Sequence, residues 1–189
     1  HSTFLLQIGG LNLLTDPHFS ERASPFQFMG PRRFVPPAVA LDALPPIDAV
    51  LLSHDHYDHL DAPTVKRLHQ TYGDGLVWIA PLGHAKWLAG AGIRHGNVHD
   101  VDWWDNVDLR GSAGPVSVTC TPAQHWTRRR LSEFNDRLWG SFAVWRAEKA
   151  VYFGGDSGYF RGYPEIGERL GPFDAVLMPI GAYDPRWFM

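Results

Sequence analysis

Positions 54–59, in the string Ser53-His54-Asp55-His56-Tyr57-Asp58-His59, hold three imidazoles interleaved with two carboxylates. The chain has ten histidines in 189 residues, so chance would place only about 0.3 of them in any six-residue window. Neither packing nor solubility gives a reason for this order. In a turn leaving a strand end, His54 and His56 at i and i+2 project to one side, while Asp58 and His59 turn back toward a neighbouring point. One short loop can then give two imidazoles to one metal ion and a carboxylate plus an imidazole to a second. Imidazole nitrogen and carboxylate oxygen suit zinc, with manganese and iron as alternatives. Cys120 is the only cysteine, which excludes an internal disulfide framework and any multi-cysteine zinc site.

Two further residues complete the constellation. His125 lies in Thr121-Pro122-Ala123-Gln124-His125-Trp126, just after an expected strand over residues 116–121. Asp156 lies in Phe153-Gly154-Gly155-Asp156-Ser157, after an expected strand over 150–153, where two glycines remove bulk beside a carboxylate able to bridge two cations. Alone, each reads as well as a surface His or an ordinary turn. Their weight comes from following the six-residue motif in order.

The elements that must position these groups are legible as patterns. Apolar runs at 4–8 and 11–15 flank Gly9 and Gly10, the signature of a tight β-hairpin. Residues 16–46, rich in Pro, Phe and Arg without a period, predict a long ordered surface loop. Residues 47–52 form an apolar run with one acidic interruption, a strand buried on both faces that delivers the His/Asp string. A helix follows with Asp61 as N-cap, Pro63 in the first turn, and Val65 and Leu68 facing inward. Further strands are expected at 76–80, 98–103, 116–121, 138–145 and 150–153, short helices at 83–89 and 164–170, and a last buried strand at 175–180. Strands interleaved with a few helices predict a mixed α/β layered fold, without internal repeats.

Composition bounds the rest. At this length, with 44% hydrophobic residues, a single domain is expected, burying roughly 70% of the unfolded surface. A formal charge of −3 supplies no general field for nucleic acid, and no 18-residue apolar run crosses a bilayer. The start at His1 without an initiator Met and the stop at Trp187-Phe188-Met189 read as a segment of a longer protein.

The string His-x-His-x-Asp-His after a buried strand, with a downstream His and a downstream Gly-Asp, resembles the metallo-β-lactamase superfamily of binuclear metallohydrolases. More narrowly, the chain resembles the branch of N-acylphosphatidylethanolamine-hydrolysing phospholipase D. The supporting segments include Leu14-Thr15-Asp16-Pro17, Glu21-Arg22-Ala23-Ser24-Pro25, Pro45-Pro46-Ile47-Asp48-Ala49-Val50, and Pro179-Ile180-Gly181-Ala182-Tyr183 with Pro185-Arg186-Trp187-Phe188-Met189. The resemblance implies an αββα sandwich with its C-terminal part missing and the metals at one edge between the sheets. It assigns His54, His56 and His125 to a first zinc, Asp58 and His59 to a second, and Asp156 to a bridge. The family's second metal takes one more His, from a His-Trp-Gly segment beyond Met189. These residues alone thus imply a complete first site and an underligated second one.

On this resemblance the expected activity is a zinc-dependent phosphodiesterase of a phospholipid-like substrate. A hydroxide shared by two metals attacks, Asp58 helps to orient the water, and Asp55 accepts an imidazole N–H from a neighbouring ligand. Rival readings are a lactonase or nuclease of the same superfamily, or a metal-stabilised binding module without turnover. Tyr57 either touches substrate or packs against neighbouring strands. Arg128, Arg129 and Arg130 either meet a phosphate or form a solvated loop balanced by Glu133 and Asp136. Asp16 either lies near the site or caps its turn. His18, His69, His84, His95 and His99 match no ligand spacing and are expected at the surface or satisfied, and no role is assigned to His1. Trp103, Trp104, Trp126, Trp139, Trp145 and Trp187 suit core packing or lipid contact. The expected setting is the cytoplasm or a membrane periphery, with no nucleic-acid partner.

Overall fold

The computed structural model describes residues 2–181 and 184. His1, Ala182, Tyr183 and residues 185–189, Trp187 among them, lie outside the described residues.

Two five-stranded sheets face each other. The first contains β1 (Phe4–Ile8), β2 (Leu11–Thr15), β3 (Ala49–Leu51), β4 (Val77–Pro81) and β5 (Val98–Val101), in that spatial order. β1 and β2 form the expected hairpin, with Gly9 and Gly10 at φ of 62° and 80°, values a side chain would disfavour. From β2 to β5 the strands run parallel. The second sheet contains β6 (Asn106–Gly111), β7 (Gly114–Thr121), β8 (Ser141–Arg146), β9 (Lys149–Phe153) and β10 (Ala175–Leu177), antiparallel from β6 to β9 with β10 parallel to β9.

The period-two pattern of the strands builds the layers. Leu13, Leu51 and Ile79 point from the first sheet onto Val118, Phe142 and Phe153 of the second, forming the central core. The alternate residues Leu14, Val50 and Trp78 point outward, where Val65 and Leu68 of α1 (Ala62–Tyr72) and Leu88 of α2 (His84–Gly90) cover them. On the far side, Ala143 and Tyr152 pack on Ile166 of α3 (Gly162–Leu170). The order of layers is helix, sheet, sheet, helix, the αββα sandwich.

Several expectations are corrected. Strand β6 was not anticipated, although Val107 and Leu109 alternate with exposed residues and Gly111 and Gly114 bound its turn to β7. The last strand is shorter than residues 175–180 and is not buried: Val176 is 52% exposed and Ile180 89%. Among the described residues β10 pairs with β9 alone and no layer covers Val176, so one apolar run does not imply two covered faces. Asp61 occupies the N-cap position of α1, but its carboxylate accepts bonds from Ser20 N, Ser20 Oγ and Thr64 Oγ1, tying the long loop to the helix. Residues 16–46 are otherwise the loop expected, with one short turn of 3-10 helix at Leu41–Ala43. Among the described residues, no helix is long and apolar enough to cross a membrane.

Candidate metal centre

The centre forms at one rim of the sandwich because strand directions agree there. β2 and β3 are parallel, with Thr15 opposite Leu51, so Asp16 and the Ser53-His54 turn leave adjacent carboxyl ends of the first sheet. β7 and β9 are both antiparallel to β8 and so run the same way. His125 and Asp156 therefore emerge at a common edge of the second sheet. The two loops are tied by Gly158 N donating to Gln124 O (2.8 Å) and Gln124 N donating to Ser157 Oγ (3.0 Å). Gly155 lies against the first sheet's loop: a Cβ built there would sit 2.7 Å from Ser53 Cβ, at a φ of +57°.

His54, His56, Asp58, His59, His125 and Asp156 are brought together. His54 Nε2 lies 2.9 Å from His56 Nδ1, and His125 Nε2 lies 3.2 Å from each of them. Around the neighbouring point, His59 Nε2 is 3.5 Å from Asp58 Oδ2 and 3.3 Å from Asp156 Oδ2. Both trios could hold a metal ion. Metal–nitrogen bonds of about 2.0–2.1 Å give a tetrahedron with an edge of about 3.3 Å, close to the spacing of the first trio.

Hydrogen bonding fixes which ring nitrogens carry protons. Ser53 Oγ donates to Asp16 Oδ2 (2.5 Å), so the 2.8 Å contact between Ser53 Oγ and His54 Nδ1 has the imidazole as donor. His54 Nε2 is left with a bare lone pair facing the trio. Asp16 Oδ2 also accepts from His59 Nδ1 (2.6 Å), turning His59 Nε2 toward Asp58 and Asp156. His56 Nε2 and His125 Nδ1 are buried without a hydrogen-bond partner among the described residues. The converging nitrogens of His54, His56 and His125, and the Asp58 and Asp156 oxygens beside His59 Nε2, are the atoms whose types and spacing fit a cation.

The charge environment agrees. Burial, with the neighbouring imidazoles His59, His125 and His56, holds His54 well below the usual histidine range. Burial likewise lowers His56, and takes His125 down to about 4. These three rings are neutral near pH 7. Burial alone would lower His59 too, but the carboxylates of Asp16, Asp156 and Asp58 outweigh it and hold the ring well above its ordinary value. For Asp156, burial opposes ionisation, and the hydrogen bond and charge of His59 override it.

Asp16, which the sequence left between two readings, is fully buried and orients two of the histidines. The signal available was its place one residue beyond β2, in register with the end of β3. Asp55 departs from expectation. It accepts no imidazole N–H: its carboxylate takes the backbone N–H of Arg128 (3.0 Å) and the guanidinium of Arg137 (2.8 Å). Tyr57 packs, with its ring under the Arg129 guanidinium and its hydroxyl donating to Arg129 O. The Arg128 side chain is exposed and donates to Leu131 O in its own loop. His84 is not at the surface. It is buried with Nδ1 donating to Pro81 O (2.8 Å) and Nε2 unpartnered among the described residues. The tryptophans read as core packing or lipid contact are all at least partly covered where described, and the exposed aromatics among the described residues are instead Phe26, Phe28 and Phe34 of the long loop, with Phe134 and Tyr159.

Comparison with known proteins agrees with this architecture. Residues 11–189 match the beta-lactamase superfamily domain. The N-acyl-phosphatidylethanolamine-hydrolyzing phospholipase D 1 of Caenorhabditis elegans is 42% identical over all of this chain and 54% of its own length. The mitochondrial N-acyl-phosphatidylethanolamine-hydrolyzing phospholipase D of Saccharomyces cerevisiae is 32% identical over 94% of this chain and 38% of its own length. The chain thus spans about half or less of these relatives. A metallo hydrolase from Ignicoccus hospitalis superposes with a TM-score of 0.63 at 22% identity, over 91% of this chain and 64% of that one, which speaks to fold alone. By sequence and by architecture, the chain belongs to the beta-lactamase superfamily and has the metallo-β-lactamase fold.

Proposed function

We propose that the chain carries the centre of a binuclear metal-dependent hydrolase, a phosphodiesterase acting on a phospholipid-like substrate. One observation carries this reading: ligand-type atoms of six residues, from both sheets, converge on two adjacent points while Asp16 and Ser53 hold the far nitrogens of His54 and His59. His54, His56 and His125 would hold the first cation, Asp58 and His59 the second, and Asp156 would lie between them. Zinc suits this donor set, and manganese or iron share it.

A bound cation pair supplies a nucleophilic water at neutral pH and neutralises charge on the phosphoryl oxygens and the departing alkoxide. The chain's own residues prepare the site for it. Burial keeps the trio of imidazoles unprotonated, and Asp16 fixes the orientation of His59. The Asp58 side chain, 30% exposed, borders the large cavity and is the group placed to orient a water.

That cavity supports the substrate class. It measures about 690 Å³ and is walled by apolar side chains such as Leu5, Leu14, Phe19 and Val39, with Arg33 and Asp58 among its polar lining. An acyl chain fits such walls, and Arg33 brings a cation to the same cavity that Asp58 borders. The phospholipase D activity for which the worm and yeast relatives are named points the same way. The test is release of p-nitrophenol from bis(p-nitrophenyl) phosphate and of phosphatidic acid from N-acyl phosphatidylethanolamine, by protein loaded with zinc. Both are expected and both should vanish with chelator. Bound metal without cleavage of either would replace this reading with a binding module, and cleavage of a lactone alone would replace it with a carbon-ester hydrolase.

A further inference from the structure

Asp55 stands between His54 and His56, yet its bonds lead away from the site. Its side chain is 1% exposed, and its Oδ2 accepts Arg137 Nη1 at 2.8 Å, a nitrogen that also lies 3.1 Å from Glu133 Oε2. Its Oδ1 accepts Arg128 N, and its backbone carbonyl accepts Arg129 Nη1 (2.8 Å). The Arg129 guanidinium in turn lies over the rings of Tyr57 (4.4 Å) and Trp87 (4.8 Å), and Tyr57 Oη donates back to Arg129 O (2.8 Å). All these partners apart from Trp87 belong to the ligand loop or to residues 128–137, the segment that begins three residues after His125.

That segment is itself closed at its base. Asn135 N donates to Thr127 O (2.9 Å), Thr127 N donates to Asn135 Oδ1 (3.0 Å), and Thr127 Oγ1 donates to Arg137 O (2.7 Å). The result is a buckle: one end carries His125 and the other grips the residue between His54 and His56. The three nitrogens of the first trio come from the two sides of this buckle, so its fit sets their separation.

We infer that Arg137, acting through Asp55 with Glu133 behind it, is a positioning residue that sets the spacing of His54, His56 and His125. The inference rests on the reading of these three as metal ligands. Among the described residues the Arg137 side chain bonds to Asp55 and Glu133 and to none of these histidines, so its effect should appear in metal affinity and ligand field rather than in a contact to substrate.

The test is cobalt binding, read by competition with a chromophoric chelator and by the visible d–d spectrum, alongside thermal unfolding of the metal-free protein. Arg137→Gln is expected to weaken cobalt binding about tenfold or more and to alter the spectrum. Arg137→Lys, which retains a cation on the same carboxylates, is expected to restore most of the affinity. Where Arg137→Gln fails to fold because the buried Asp55 carboxylate loses its counter-charge, the neutral pair Asp55→Asn/Arg137→Met replaces it, with the same loss expected. Unchanged affinity and spectrum in a folded Arg137→Gln or double variant would overturn the inference. So would a loss in Arg137→Lys equal to that in Arg137→Gln. Failure of the parent protein to bind cobalt would instead overturn the ligand assignment itself.

Discussion

Asp16 does more for the centre than any residue outside the proposed ligands. One carboxylate receives Ser53 N, Ser53 Oγ and His59 Nδ1, and through Ser53 it also fixes His54. Asp16→Ala should lower zinc affinity by about 10–100-fold, as loss of such orienting partners does elsewhere, measured by chelator competition. An unchanged affinity would mean that the histidines hold their orientation unaided. His84 offers a test of a different kind. Burial, the largest influence, lowers its pKa below the ordinary value despite the Pro81 carbonyl. The unfolded chain therefore binds more protons than the folded one, and stability is lost as pH falls below about 6.5. In urea titrations at pH 5 and 7.5, His84→Met should show a smaller loss of stability at the lower pH than the parent; an equal loss would remove His84 from the acid response. At this scale the sequence was legible where residue types cluster, as in His54 to His59. It was opaque for Asp16 and Asp55, because a carboxylate's partner depends on which loops meet it in space.

Among the elements, the close approach of the β9 exit to the β3 exit decides whether the two halves of the centre meet. Gly155 makes that approach possible, since any Cβ would strike Ser53 and the backbone lies in the left-handed region. Gly155→Ala should destabilise the fold by roughly 1–3 kcal/mol in chemical denaturation. A change within about 0.5 kcal/mol would show that the loops can part without cost. Phe142 on β8 is fully buried between the sheets, and Phe142→Ala should cost about 3–5 kcal/mol by the same measurement. A loss below about 1 kcal/mol would mean that the central core closes over the space. The strands that deliver the ligands were readable because Val50 to Leu52 is wholly apolar and Val116 to Cys120 alternates apolar residues with Ser117 and Thr119. β6 escaped because Asn106, Asp108 and Arg110 dilute its pattern to Val107 and Leu109. β10 was misjudged because an apolar run says nothing about whether a strand lies at an edge.

Across the whole molecule, the sandwich supplies two parallel pairs of exits, β2 with β3 and β7 with β9, at one rim. The centre needs both. Order along the chain nominated the candidates, and sheet direction explains why they lie together, which spacing alone could not establish for His125 and Asp156, about 70 and 100 residues beyond the loop. The most direct test is anomalous diffraction at the zinc edge from crystals of the protein grown with zinc. Two peaks are expected, one within bonding distance of His54, His56 and His125 and the other of Asp58 and His59, both beside Asp156. Absence of density there, or peaks only at surface histidines such as His95 and His99, would contradict the assignment.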